Sequence, residues 1–269
     1  MGASVCVTDS PSHPPAMNRP LFPPLLCALS LLLPNAGTAG EVDDLIRLGD
    51  VHDRRFESKA ALEKYLPAEK LEPDNVTLLL RIARQYRHES QDAGAASEKT
   101  RLAGLGLNYA QRAVALKPDN AEAHLSVAIG YAKSLPHLSS KEKMNTLRVV
   151  KASVDRSITL DPKQDLAWYI LGCWNQRVAE LGGFKKAVAE MAFGGLPPAD
   201  DQTAIKCFQK AIALNPDRLI HYIELGRTYA HSGNEAEARK YIQQGLAMAI
   251  TGKDDAESKQ KGRQTLAEL

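Results

Sequence analysis

Aromatic residues are scarce: Phe, Tyr and Trp make up 6% of the 269 residues, and only two are Trp. Alanine is common instead, as in closely packed helices. Charge of one sign is also lacking. The formal net charge is +2, and it stays +2 without residues 1–40, because Arg19 and Asp9 cancel. That total carries no sign of nucleic-acid binding. The apolar run 21–33 is too short for a membrane-spanning helix, and no longer one occurs. Catalytic signatures are missing as well: there is no G-x-S-x-G, no H-E-x-x-H and no Gly-rich phosphate loop. Gly104-Leu105-Gly106 is a lone G-x-G inside a helical pattern, where close packing explains Gly106. The seven histidines show no ligand spacing. His52 and His124 fall on core positions, and His221 and His231 on different helices. No catalytic, cofactor or metal site is therefore expected, and the chain reads as non-enzymatic. Beyond the leader only Cys173 and Cys207 remain, on different helices, and they read as free, partly buried thiols.

What the sequence does have is an alternation of small and large residues. It is clearest over residues 200–229, DDQTAIKCFQKAIALNPDRLIHYIELGRTY. Ala204, Ala211 and Gly226 are small enough for two helix backbones to cross closely. Phe208, Tyr222, Leu225 and Tyr229 fill the grooves one turn away. Pro216 cannot continue a helix and biases Asn215 toward extended backbone, which leaves Asp217 to cap the next helix. This is the tetratricopeptide (TPR) pattern.

The frame recurs. A proline is followed six residues later by a core residue at Pro73/Leu79, Pro118/His124, Pro162/Trp168 and Pro216/Tyr222. First helices carry Leu45, Leu48, Gly49 and His52; Leu79, Ile82, Ala83 and Tyr86; His124, Val127, Ala128 and Tyr131; Trp168, Leu171, Gly172 and Asn175; and Tyr222, Leu225, Gly226 and Tyr229. Second helices carry Ala61, Tyr65 and Ala68; Gly106, Ala110 and Ala113; Val150, Val154 and Ser157; Ala204, Phe208 and Ala211; and Ala238, Ile242 and Gly245. Within a repeat the frame slips by 11, 10 and 20 residues in the second, third and fourth units. The expected fold is all-α, a TPR-like right-handed helical solenoid of about five helix-turn-helix repeats. Its middle hairpins are elongated, and a C-terminal capping helix covers the last apolar face.

The domain plan is a leader over residues 1–40, a repeat domain over 41–253 and a capping helix over 254–269. Residues 1–16 are polar and read as disordered. Residues 17–40 place Arg19, an apolar run and a small-residue stretch in the order of an export signal. The chain is therefore expected to be exported, periplasmic or secreted; without a functioning signal, cytoplasm or mitochondrion is the alternative. Pro67 is expected to end the first repeat's second helix early. Ser139-x-x-Glu142 reads as a capping box. The insertion near residues 180–201 places Phe184, Val188 and Met191 on one face of a short helix, ended by Gly194, Gly195, Pro197 and Pro198. It is read as packing, lid or lipid contact.

First helices line the concave face of such a solenoid. Arg84, Arg87, His88, Lys133, Arg177, Arg227 and His231 lie on that side, with Tyr169, Cys173, Ile220 and Ile223 as apolar surface and Asp50 and Asp53 at an acidic end. The partner-binding groove is therefore assigned to Arg84, Arg87, His88, Lys133, Tyr169, Arg177, Arg227 and His231. An acidic peptide or chain terminus fits it first and a phospholipid headgroup second.

One stretch is more specific than the repeat. Ile170-Leu171-Gly172-Cys173-Trp174 is followed by Ala179-Glu180-Leu181, by Ala189-Glu190-Met191-Ala192-Phe193, by Pro197-Pro198, and by the helix opening at Ala204 and Phe208. This text resembles the regulator of microtubule dynamics family. The resemblance implies a TPR-like helical domain with an insertion at this place, and association with microtubules and mitochondria in eukaryotic members. The function read from the chain is a non-enzymatic interaction scaffold that binds a protein or peptide, with no nucleic acid and no transmembrane span. The alternatives are a microtubule- or mitochondria-associated regulator of that family and a phospholipid-binding or transfer module. N-terminal sequencing of native protein tests the leader: export predicts a mature chain starting near Gly40 or Glu41, and a cytoplasmic chain that keeps residues 21–33 contradicts it.

Overall fold

The computed structural model describes residues 36–135, 138–181 and 194–269. Eleven helices lie among them, and no strand. In chain order they are α1 (Ala36–Asp53), α2 (Ser58–Leu71), α3 (Val76–Asp92), α4 (Ala96–Leu116), α5 (Ala121–Ser134), α6 (Ser140–Leu160), α7 (Asp165–Ala179), α8 (Asp201–Leu214), α9 (Leu219–His231), α10 (Glu235–Ala247) and α11 (Asp255–Glu268). Each helix of the first ten packs on the next, so the pairs from α1/α2 to α9/α10 form five hairpins. The first helices α3, α5, α7 and α9 also touch one another in succession and make the inner layer. α11 packs on α9 and α10.

The prolines set the helix ends. Glu72, Lys117, Asp161 and Asn215 each precede a proline and each leave the helical region, with φ −131°, −139°, −141° and −145°. The residue six places after the proline then fastens the turn in two cases. Trp168 Nε1 donates to the Pro162 carbonyl at 2.9 Å, and His124 Nε2 lies 2.9 Å from that of Pro118. Asn75, Asn120, Asp200 and Asn234 cap α3, α5, α8 and α10 with their side chains. The capping box at α6 is formed: the Ser139 N–H donates to Glu142 Oε2 at 2.9 Å.

The small residues mark where the backbones cross. A Cβ on Gly106 would lie 2.9 Å from the Ala83 carbonyl oxygen, and one on Gly172 2.7 Å from the Phe208 ring. At Gly226 it would meet the Ile242 nitrogen at 2.8 Å and the Ala238 oxygen at 2.9 Å. Opposite them Tyr65, Phe208, Ile223, Leu225 and Ile242 are fully buried. The polar insertion of the second repeat lengthens its hairpin, since α3 ends at Asp92 and α4 opens at Ala96.

Three local expectations are corrected. α2 runs through Pro67 to Leu71. Pro67 and Glu63 are both exposed, so the carbonyl that loses its N–H partner faces water. Asp217 does not cap α9: its own N–H bonds the Asn215 side chain, and the helix opens two residues later with Arg218 at the N-cap. Leu48 is 41% exposed, because no earlier hairpin among the described residues covers that side of α1; Val42 is buried instead. Residues 1–35 and the short helix expected around Phe184, Val188 and Met191 lie outside the described residues. α1 begins at Ala36, before the expected cleavage position.

Two glycines of the same chain should respond oppositely to alanine. Gly104, inside α4, has nothing within 4 Å of an added Cβ. Gly104→Ala should stabilise by about 0.5–1 kcal/mol through helix propensity. Gly226→Ala should destabilise, because overpacking costs about 1–3 kcal/mol and two of the three nearest atoms, the Ile242 nitrogen and the Ala238 oxygen, are backbone that cannot rotate away. Thermal melts of the two variants decide it; shifts in the same direction would mean that the crossing is misplaced.

Candidate functional site

The inner layer encloses a cavity of about 1070 Å³. Arg84, Arg87 and His88 of α3, Lys133 of α5, Tyr169 and Arg177 of α7, and Arg227 of α9 all line it. These are seven of the eight residues assigned to the groove. His231 is the exception and does not line it. It ends α9, where its Nδ1 lies 2.7 Å from Asp201 Oδ2 at the start of α8. Ile220 and Cys173 contribute apolar wall, whereas Ile223 is withdrawn into the core against Gly245 and Gly262.

Much of the charge is already matched within the chain. The acidic end is consumed by α3: Asp50 accepts from Arg81 Nε at 2.7 Å and from the Tyr65 hydroxyl at 2.6 Å. Asp53 holds Arg84 in an ion pair and accepts from Gln85 at 2.7 Å. Arg227 donates to Glu224 at 2.6 and 2.8 Å. Arg87 and Arg177 have no carboxylate partner among the described residues. Arg87 has only Ser126 Oγ, 3.4 Å away, and Arg177 is exposed. Two buried nitrogens of α3 are idle among the described residues: Arg84 Nε, a donor, and His88 Nδ1, whose role depends on the tautomer, have no hydrogen-bond partner. Burial and then the Arg84 charge lower the Arg87 guanidinium to about 10. Burial and then Arg87 push His88 down to about 4, so it is neutral at pH 7.

The pattern of repeats did not point to one carboxylate of the groove, Asp254. The segment between α10 and α11 crosses to α3 and α5. Asp254 Oδ1 accepts from Lys133 Nζ at 2.6 Å and from Gln91 Nε2 at 2.7 Å. Lys253 Nζ donates to Asp92 at 2.7 Å. These partners are 121 to 163 residues apart in sequence. Asp254 is one of two aspartates following Gly252-Lys253, and nothing in the repeat frame aims it inward. The segment is built to hold this shape. Asp255, itself buried, accepts from the N–H groups of Thr251 at 2.8 Å and Gly252 at 2.7 Å. Lys259 ties the end of α10 through the Leu246 carbonyl at 2.9 Å.

The thiols do not form a reactive centre. Cys173 and Cys207 are unbonded. Burial raises the Cys173 thiol well above its ordinary value and pushes Cys207 up to about 11, so neither is a thiolate at neutral pH. Among the described residues no group of His, Cys, Asp and Glu is arranged to hold a metal ion. The chemistry on offer is recognition of negative charge by guanidinium, ammonium and imidazole donors in a partly apolar cavity.

The low pKa of His88 fixes a sign. Between its ordinary 6.5 and about 4 the unfolded chain binds a proton that the folded chain refuses, so stability falls as pH falls through that window. His221, also lowered by burial despite its 2.8 Å contact with Asp165, acts in the same sense. The lowered carboxylates Asp50, Asp165 and Asp254 contribute stability that is lost as pH falls through their ordinary value of 3.8, so they overlap only the acid end of that window. His88→Gln should flatten the stability profile between pH 6.5 and 4, read as urea midpoint against pH. An unchanged slope would mean that the imidazole is solvated.

Comparison with known proteins places the chain. A family model described as regulator of microtubule dynamics protein 1-3 matches residues 42–269. Regulator of microtubule dynamics protein 2 of Mus musculus is 25% identical over 199 residues, 73% of this chain and 48% of its own length. Protein 1 of the same species is 25% identical over 200 residues, 74% of this chain and 66% of its own. The chain thus spans 48% and 66% of the lengths of these two relatives. The crystal structure of a thermophilic TPR protein of Thermus thermophilus superposes with a TM-score of 0.62, at 16% identity, over 84% of this chain and 99% of that one. That likeness shows the TPR-like fold. On the family match, this chain belongs to the regulator of microtubule dynamics protein 1-3 family.

Proposed function

We propose that the chain is a non-catalytic TPR-type scaffold whose concave groove binds an acidic protein segment or a chain terminus. The observation that carries this is the unmatched donor set inside one cavity. Arg87 and Arg177 lack carboxylate partners among the described residues, and Arg84 Nε and His88 Nδ1 are buried without a hydrogen bond. Buried donors left unpaired are costly, so an anion that satisfies them binds favourably. The TPR-like fold supports a protein or peptide as the occupant, since such solenoids present extended concave surfaces.

A second reading has its own observation. Leu147, Val150, Leu166, Ile170 and Trp174 share the cavity with the cations, an arrangement suited to an anionic headgroup joined to an acyl chain. The leader over residues 17–40 supports export. Without it, a cytoplasmic or mitochondrial location and microtubule association, carried by the relatives' names, become the alternative.

The test uses two probes, a fluorescein-labelled hexaglutamate peptide and phosphatidylglycerol vesicles. The peptide should bind, and weaken as salt rises, because partly exposed ion pairs are screened. Arg87→Gln with Arg177→Gln should lose roughly ten-fold or more in affinity, since a hydrogen bond to a charged group contributes about 1.5–3 kcal/mol. Arg239→Gln, on the exposed side of α10, should change little. Equal losses in both variants would remove the groove as the site. Vesicle binding without peptide binding would favour the lipid reading.

A further inference from the structure

The Lys133–Gln91 pair is a carboxylate site that is already filled. Asp254 reaches it from the far end of the chain, at 2.6 and 2.7 Å. The contact joins the α10–α11 connection to α3 and α5, so it bridges the open side of the inner layer. The Lys253–Asp92 pair, at 2.7 Å, anchors the same segment on the end of α3. Both ion pairs are partly exposed: the Lys133 and Asp254 side chains are 33% and 42% accessible, and those of Lys253 and Asp92 21% and 52%. Pairs of this kind exchange readily with water and with other anions. Beside them stand the unbonded nitrogens of α3, Arg84 Nε and His88 Nδ1, and Arg87, which has no carboxylate partner among the described residues.

We propose that Lys133 and Gln91 form a carboxylate subsite of the groove, and that Asp254 is its resident occupant, displaced when an acidic peptide binds. The proposal rests on the reading of the groove as an acidic-peptide site. It adds which donors take a carboxylate of the peptide and what must leave first. A segment that occupies a site lowers the apparent affinity for any competitor by the fraction of time the site is free. The Asp255 and Lys259 contacts hold the base of the segment in both states, so only the Lys253–Asp254 tip has to move.

The experiment is titration of the full chain with the labelled hexaglutamate peptide, followed by fluorescence anisotropy. Asp254→Asn should bind roughly three- to ten-fold more tightly than the wild type. Asp119→Asn is the charge control: Asp119 is exposed and does not line the cavity, so its variant should stay near wild type. Lys133→Ala should weaken binding. Amide chemical shifts of the isotopically labelled chain supply a readout that does not depend on variants: peptide should move Lys253 and Asp254 of the wild-type chain, while Thr251 and Gly252, held by Asp255, stay. If Asp119→Asn gains as much as Asp254→Asn, the gain is general electrostatics and the subsite is overturned. If the peptide binds but neither the Asp254→Asn affinity nor the shifts of Lys253 and Asp254 respond, Asp254 is only a structural tie and the proposed function stands alone. If neither wild type nor Asp254→Asn binds the peptide, both readings fall.

Discussion

Everything in this molecule depends on glycines that let neighbouring helices approach without a Cβ between them. Gly106 against the Ala83 carbonyl and Gly226 against the Ile242 backbone are close backbone crossings, and Gly172 makes room for the Phe208 ring. A large residue one turn away then fills the space that the close approach creates, as Tyr65, Phe208 and Ile242 do. The crossing sets how each hairpin folds back. The hairpins in turn bring α3, α5, α7 and α9 side by side, although their sequences are far apart. The groove follows from this geometry, since those first helices form its inner wall, flanked by residues of α4 and α6 and by the segment after α10.

That inner face is polar and sheltered, so its charges had to be resolved locally. Neighbouring first helices resolve many of them: α1 supplies Asp50 and Asp53 to the arginines of α3. Others are matched within a helix, as in Arg227 with Glu224, and one across the whole solenoid, Lys133 with Asp254. The remainder gives the cavity its character. Arg87 keeps its charge at neutral pH, and His88 stays neutral. A groove that is only partly neutralised from within has both affinity for an anion and a competitor for it.

The fold was legible because its determinants are local. A proline stops a helix wherever it falls, as the four pre-proline turns show. The alternation of small and large residues has the same meaning in every hairpin. The misreadings were also local but depended on context. Pro67 is tolerated because its helix face is wet, and Asp217 yields to an Asn215 turn that occupies its N–H. The lining of the groove was legible in part, since helical phase places Arg84, Arg87, Lys133, Arg177 and Arg227 on one side. His231 failed because phase alone does not tell the end of a helix from its middle. The pairings were not legible at all. Asp53 with Arg84 spans 31 residues and Asp254 with Lys133 spans 121, and no repeat period encodes either.

The central claim is that recognition takes place on the inner layer of first helices, through its unmatched cations. Chemical-shift mapping of the isotopically labelled chain with an acidic peptide tests it most directly. The account predicts perturbations at the side chains of Arg87, His88 and Arg177 and along the inner faces of α3, α5 and α7, with α2, α8 and α10, none of which lines the cavity, unmoved. Perturbations confined to those three helices would contradict it.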